Sequence, residues 1–158
     1  MVNVYKEFGL SIPVLDDDSY LTTVNSVSSL FNAARFIWSG ALDKIRFKFV
    51  YGFLVCIQLV LAFTITQTAK TKSAFGIVVC LTLFCIGGHF ALFPNVVKQI
   101  FGKNATSLYG VMMTGTGLSS VMIVGLVLSP VGTHYYTMFY ISGFLSALSM
   151  VCLLVLFK

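Results

Sequence analysis

Charged residues are scarce in this sequence. Asp, Glu, Lys and Arg together make up 9% of its 158 residues, whereas hydrophobic residues make up 58%. A soluble globular domain carries about a quarter charged residues, and its surface needs them to remain in water. The shortage of charge therefore excludes an ordinary soluble domain and predicts an integral membrane protein.

Motifs for metal binding and catalysis are also missing. The four cysteines lie inside apolar runs, form no CxxC pair and belong to no His/Cys cluster with ligand spacing, so we expect small hydrophobic thiols and no metal. No nucleophile–base pair and no phosphate-binding loop is visible, and we expect neither an enzyme nor a cofactor. The basic residues lie in short gaps between apolar runs, a pattern typical of membrane flanks rather than of a nucleic-acid interface.

Long apolar runs occupy most of the chain. A helix that spans a bilayer needs about twenty mostly apolar residues. Five runs have about that length, and none of them alternates with period two as a porin strand would. The sequence thus predicts an all-α membrane protein with about five transmembrane helices. Because the connections are short, we expect a single membrane domain over residues 1–158, with the predicted helices at about 19–42, 49–66, 75–100, 105–128 and 135–157.

The distribution of basic residues predicts the orientation. Cytoplasmic or matrix loops carry an excess of Lys and Arg. One side of the predicted helices holds six such residues and the other holds three, which places loop 43–48 inside and the N-terminus outside. The pattern fits a plasma membrane and a mitochondrial inner membrane equally. The six are Lys44, Arg46, Lys48, Lys98, Lys103 and Lys158, and the three are Lys6, Lys70 and Lys72.

The first predicted helix carries a polar face. Asn25, Ser28, Asn32, Arg35 and Ser39 follow one another at steps of three, four, three and four, which puts them on one side of a helix. A cation at membrane depth usually faces a bundle interior or a wet cavity and marks a ligand path. The alternative is that the long arginine side chain reaches the interface instead. We favour the interior position, with Arg35, Asn32 and Ser28 as candidate substrate-binding residues.

Helix-breaking and titratable residues mark the third and fourth predicted helices. Gly87, Gly88 and Pro94 interrupt the third helix, and His89 between them is either a protonation site or a hydrogen-bonded packing residue. The glycines of the fourth helix are interpreted as surfaces for close helix packing.

The loop after the first helix matches part of a known signature. Asp43, Lys44 and Lys48 agree with the pattern G-x-x-x-D-(R/K)-x-G-x-(R/K), while Ser39 and Arg46 stand at its two glycine positions. This run resembles the loop signature of the major facilitator superfamily. Upstream, SVSSLFNAARFIWSG resembles the eighth helix of oxalate/formate-antiporter-like and monocarboxylate-transporter-like members. Downstream, GGHFALFPNVVKQIFGKNATSLYGVMMTGTGLSS is similar to their tenth and eleventh helices.

The resemblance implies a carrier of small organic anions. The chain would correspond to helices eight to twelve, a partial C-terminal half, with Arg35 contacting a substrate carboxylate. Some oxalate-type members of the family that the chain resembles use a second cation on the eleventh helix. Residues 105–128, which resemble that helix, contain no Lys or Arg, so the resemblance implies a monocarboxylate rather than a dicarboxylate. Such a chain would need a missing half or other membrane protein chains as partners, besides membrane lipids. The alternative is a non-transporting structural subunit of a larger membrane complex, such as a mitochondrial respiratory assembly.

Overall fold

A computed structural model describes residues 2–128 and 135–156, and all the regular structure in these ranges is helical. This confirms the all-α class. Residues 129–134 and 157–158, which include the predicted last turn and Lys158, lie outside the described ranges. The helices are α1 (Val2–Leu10), α2 (Asp18–Ala33), α3 (Phe36–Leu42), α4 (Phe47–Thr68), α5 (Lys72–Phe101), α6 (Ala105–Leu128) and α7 (Tyr135–Leu156).

Three helical segments of the described ranges are long and apolar enough to cross a membrane: Phe47–Thr68, Lys72–Met122 and Tyr135–Val155. The middle segment has 51 residues, and a straight helix of that length would measure about 75 Å, against an apolar layer of about 30 Å. A 3₁₀ turn at Gly102–Asn104 divides it into α5 and α6. Gly102 has a φ of 52°, a left-handed value that favours glycine. The segment therefore contains the third and fourth predicted helices.

The first predicted helix is not continuous, and this part of the prediction was wrong. Residues 19–42 form two helices, α2 with 16 residues and α3 with 7, separated at Ala34 and Arg35. Neither piece reaches the length of about twenty residues that a spanning helix needs.

Helix α5 lies at the centre of the bundle, between α2 with α3 on one side and α4 on the other. It runs parallel to α2 and α3. The hydroxyl of Tyr20, near the start of α2, donates a hydrogen bond to the carbonyl of Lys72 at the start of α5. Ser39 in α3 accepts one from Asn95 near the end of α5, at 3.4 Å. Parallel packing is expected for two segments that are joined through one helix, α4, running in the opposite direction.

Helix α7 packs along α4 on the side away from α2. Tyr51 and Ser149 place their hydroxyl oxygens 3.4 Å apart, and the rings of Phe63 and Tyr140 are 5.9 Å apart. Low numbers in α4 thus meet high numbers in α7, so the two helices are antiparallel. Gly143 lies against the Phe63 ring, which confirms a packing role for this glycine.

Aromatic residues attach α1 to the end of the bundle where α5 and α7 begin. Phe8 is 1% exposed. Its ring centroid lies 5.2–6.2 Å from those of Phe75, Tyr135, Tyr136 and Phe139. Residues distant in sequence thereby close this end of the bundle.

Helix α6 differs from the others because none of its described side chains is buried. The expectation that its glycines serve close packing was wrong for this chain: a methyl group added at position 110, 115, 117 or 125 would have no neighbouring atom within 4 Å. The expectation for the cysteines holds for Cys80 and Cys85, which are buried, but Cys56 and Cys152 are exposed. In a bilayer such exposed positions face lipid or another chain.

An ion pair joins the starts of α2 and α5. Asp17 caps α2 by accepting the backbone N–H of Tyr20 at 3.1 Å, and its other oxygen lies 2.8 Å from Nζ of Lys72. The hydrogen bond from Lys72, followed by that from the Tyr20 amide, holds the pKa of Asp17 below its ordinary value. Asp17 precedes α2 and Lys72 is the first residue of the Lys72–Met122 segment. The pair is exposed, so its contribution to stability is small.

Replacing Asp17 with asparagine tests this pair. Because the folded-state pKa is depressed, the stabilisation is present above the unfolded-state value of about 3.9 and is lost as the pH falls through the folded-state value. We expect the melting temperature of the wild-type protein in detergent to fall more between neutral pH and about pH 3 than that of Asp17→Asn. Asparagine retains the cap, so the comparison isolates the charge. An equal fall in both proteins would contradict the assignment.

Candidate functional site

The interruption between α2 and α3 is a tightened turn. The amide of Arg35 donates to the carbonyl of Asn32 at 3.2 Å, and the amide of Trp38 donates to the carbonyl of Arg35 at 3.1 Å. Both bonds connect residues three apart, as in a 3₁₀ turn, where an α-helix would connect residues four apart. A short 3₁₀ stretch within a helix often marks a hinge or a functional position.

The interruption lies against Gly87, at the middle of α5. A methyl group added at Gly87 would lie 2.6 Å from Oδ1 of Asn32, 2.7 Å from its carbonyl oxygen and 3.1 Å from Cβ of Arg35. Only a residue without a side chain allows this approach. Irregular backbone at membrane depth is tolerated where it is buried in protein or lines a wet cavity, and discontinuous helices of this kind form transporter binding sites near the midplane.

The side-chain amide of Asn32 has an unused acceptor. Its Oδ1 atom is buried and has no hydrogen-bond partner among the described residues. Buried polar atoms in native structures almost always have a hydrogen-bond partner, so we expect a ligand, a water or a group of a partner chain to bind this oxygen. A primary amide has two donor and two acceptor positions, so it can bind a carboxylate through Nδ2 or a hydroxyl through Oδ1.

Arg35 is exposed on the outside of this chain's bundle, and it makes no ion pair within the described ranges. The predicted protein-lined interior is therefore not formed around Arg35 by this chain alone. A guanidinium at this depth is costly in hydrocarbon, so it requires either an interface within its reach or a partner chain that covers it.

Ser28 lies apart from the Arg35 region. It is fully buried, and its hydroxyl donates to the backbone carbonyl of Asn25 at 2.9 Å. The side chain of Asn25 accepts a hydrogen bond from the hydroxyl of Tyr5 in α1, at 2.8 Å. The polar face thus has two parts. Asn25, nearer the start of α2, binds α1, whereas Asn32 and Arg35 lie against α5 at Gly87. Substrate binding by Ser28 stays a prediction, but its hydroxyl is already engaged.

The loop-signature residues lie at the end of the bundle where α3 ends and α4 begins. Asp43 follows the last residue of α3, Lys44 is exposed beside it, and Lys48 is half-buried in the first turn of α4. None of them makes an ion pair in the part of the chain that the structure describes. The same part contains no group of three or more His, Cys, Asp or Glu residues that could hold a metal ion.

His89 forms a second polar contact inside the bundle. Its Nε2 atom lies 2.7 Å from Oε1 of Gln58 in α4. The Tyr51 ring meets the imidazole edge-on, with centroids 5.6 Å apart. Gln58 was not assigned to a site from the sequence, although an isolated amide within the apolar run 49–66 was an available signal.

Comparison with known proteins gives one match of direct interest. Over 106 residues, or 65% of this chain, it is 31% identical to Apicoplast pyruvate carrier 1 of Toxoplasma gondii. The chain covers 19% of the length of that protein. No protein-family model matches the chain, and no solved structure matches it.

These findings correct the family assignment made from the loop signature and the two helical segments that flank it. No model of the major facilitator superfamily or of any other family matches, and the matching protein is named as a pyruvate carrier. The interpretation of the chain as helices eight to twelve of a major facilitator half-transporter is therefore not retained. Three matching positions in a degenerate loop pattern, together with the resemblance of two helical segments, were too little to carry it. The chain is an integral membrane protein similar in part to a carrier.

Proposed function

We propose that this chain is part of a membrane carrier for small organic anions of the monocarboxylate class, of about the size of pyruvate. The observation that carries this proposal is the similarity over 106 residues to a protein named as a pyruvate carrier. The chain spans about a fifth of that protein's length, since the covered share is 19%. The remainder of a transport path would therefore come from other polypeptide segments or other chains.

The α2–α3 interruption is the position at which we place the anion. Arg35 offers a planar fork of donors that matches one carboxylate. The neighbouring Asn32 amide offers Nδ2 as a further donor, whereas its buried Oδ1 would need a donor from a water or a partner group, because the anion has none. A pyruvate-like anion has one carboxylate and one carbonyl oxygen. Arg35 would bind the carboxylate, and the Asn32 amide would bind the second oxygen through Nδ2.

Exposure of Arg35 and of α6 supports a role for further membrane chains. A partner seated over the α2–α3 interruption would enclose Arg35 in protein and lower the cost of its charge at this depth. The exposed described side chains of α6 would face the same or another partner, or lipid.

Variants of Arg35 test the proposal in the native assembly. We expect Arg35→Lys to weaken pyruvate binding about tenfold, which corresponds to about 1.4 kcal/mol, because lysine keeps the charge but loses the fork. Arg35→Ala should weaken binding at least as much. Binding of labelled pyruvate to the complex extracted in mild detergent measures the effect.

Arg46→Lys is the matched control, because Arg46 lies in the loop before α4 and away from the interruption. It should leave pyruvate binding unchanged. Unchanged affinity in a correctly assembled Arg35→Ala complex would remove Arg35 from the site.

A structural subunit of a larger membrane complex is the second candidate, and the exposed helix α6 is the observation that favours it. In that case Arg35→Ala would reduce the yield of the assembled complex. Neither the variants nor the wild-type protein would then bind pyruvate.

A further inference from the structure

A polar pair joins α4 and α5 at their centres. His89 and Gln58 are 31 residues apart in sequence, and their side chains meet at 2.7 Å inside a helix interface that is otherwise mainly apolar. Ionisable residues within membrane helices are expensive and commonly functional. The proposed anion site uses neither of these two residues.

Hydrogen-bond chemistry assigns the roles of the imidazole nitrogens. The atom of Gln58 that faces Nε2 is the carbonyl oxygen Oε1, which can only accept. Nε2 therefore carries the proton and donates it, so that Nδ1 of the neutral ring is an acceptor with a free lone pair. Nδ1 is buried and has no hydrogen-bond partner among the described residues. The described part of the bundle thus holds a basic nitrogen whose lone pair no protein group uses.

A small cavity lies beside Gln58. It has a volume of about 30 Å³ and is lined by Gln58 together with Tyr5, Thr82 and Ser142, among apolar residues. This volume accommodates about one water molecule, which needs two to four polar partners. A water held there would accept from the amide nitrogen of Gln58, an arrangement in which Oε1 faces His89.

Few charged groups surround the imidazole. Tyr51 of α4 is the titratable residue whose ring contacts it, and Tyr51 in turn meets Ser149 of α7. The α2–α3 interruption, with Arg35, reaches α5 at Gly87, which points about 200° around the helix from His89. No carboxylate within the described ranges forms an ion pair with His89. A proton gained there would remain on His89 rather than pass to a neighbouring acid.

We propose that His89 is a proton-binding site of the bundle interior, where Nδ1 takes up one proton while Nε2 keeps its hydrogen bond to Gln58. The step transfers H⁺ from water to the nitrogen lone pair and forms an imidazolium, and release is the reverse. Coupling of this proton to anion movement rests on the proposed function; proton binding itself does not. A carrier that moves one proton with each anion would accumulate the anion about tenfold per pH unit across the membrane.

Nitrogen NMR of the protein tests the site without any transport assay. The chain has two histidines, so His134→Asn leaves His89 as the labelled one. In ¹⁵N-histidine-labelled protein we expect a neutral ring protonated at Nε2, and a change of the Nδ1 signal to the protonated form on acidification while the protein stays folded. Gln58→Leu should lose the preference for the Nε2 tautomer. A ring protonated at Nδ1, or an Nδ1 signal independent of pH, would overturn the proposal.

Uptake of labelled pyruvate by membrane vesicles containing the native complex tests the coupling. We expect the wild-type protein to respond to a pH gradient, and His89→Gln to transport with no such response, because glutamine keeps a polar contact with Gln58 but binds no proton. A retained response in His89→Gln would rule out coupling through this residue. Absence of uptake by the wild-type complex would instead contradict the proposed function, and the NMR titration would still decide the proton site.

Discussion

Replacing Gly87 with alanine is expected to destabilise the bundle and to disturb the proposed anion site together. The added methyl group would lie 2.6 Å and 2.7 Å from the two oxygens of Asn32. One of these is a backbone carbonyl at the α2–α3 interruption, which cannot rotate away as a flexible side chain would. Overpacking of this kind costs about 1–3 kcal/mol, and we expect the upper end of that range.

Thermal unfolding in mild detergent measures the loss of stability, and pyruvate binding by the native complex measures the loss of function. Gly110→Ala is the matched control, because Gly110 lies within α6 with no atom inside 4 Å of the added methyl group. Alanine is the better helix former by about 0.5–1 kcal/mol, so the control should be neutral or slightly stabilising. Equal stability of the two variants would show that the α2–α3 interruption does not approach α5 as described.

Phe8→Ala is expected to cause the largest loss of stability among single substitutions outside the membrane-spanning segments. Phe8 is 1% exposed and contacts four aromatic rings, contributed by α5 and α7. Truncation leaves a cavity among large rings that have little freedom to collapse, and a buried Phe→Ala change costs about 3–5 kcal/mol. The consequence is release of α1 from the bundle.

Protease accessibility of residues 2–17, followed together with the melting temperature, reports this release. Phe49→Ala provides the control, because Phe49 is 66% exposed and should change stability by no more than about 0.5 kcal/mol. If Phe8→Ala melts like Phe49→Ala and α1 stays protected, the aromatic cluster does not hold α1.

The polar residues of the chain show what could be predicted from the sequence and what could not. Arg35 and Asn32 stand out because a cation and an amide within an apolar run are rare, and the structure places both at the helix interruption against Gly87. The interruption itself was not predicted, because no proline or glycine occurs at Ala34 and Arg35 and helical periodicity continues across them. At the interruption the chain closely approaches α5, and that approach depends on a glycine more than fifty residues later in the chain.

The sequence also did not predict which face of each helix points outward. The glycines of α6 and those of α5 look alike in sequence, yet Gly87 and Gly88 meet α2, α3 and α4 while no described side chain of α6 is buried. Lipid tails are as apolar as leucine, so a position that faces lipid and one that faces another helix have similar composition. The hydrophobic pattern that locates a soluble core therefore does not locate the packed face here.

The sequence by itself determined that this protein is a helical membrane protein and where most of its helices begin and end. Those properties follow from local composition, since about twenty apolar residues in a row satisfy their backbone hydrogen bonds in a bilayer only as a helix. Only the tertiary structure decided which polar groups meet: Nε2 of His89 with Gln58, Asn25 with Tyr5, and Asn32 with the bare backbone of Gly87. Such meetings depend on the parallel and antiparallel packing of helices distant in sequence, which no local pattern encodes.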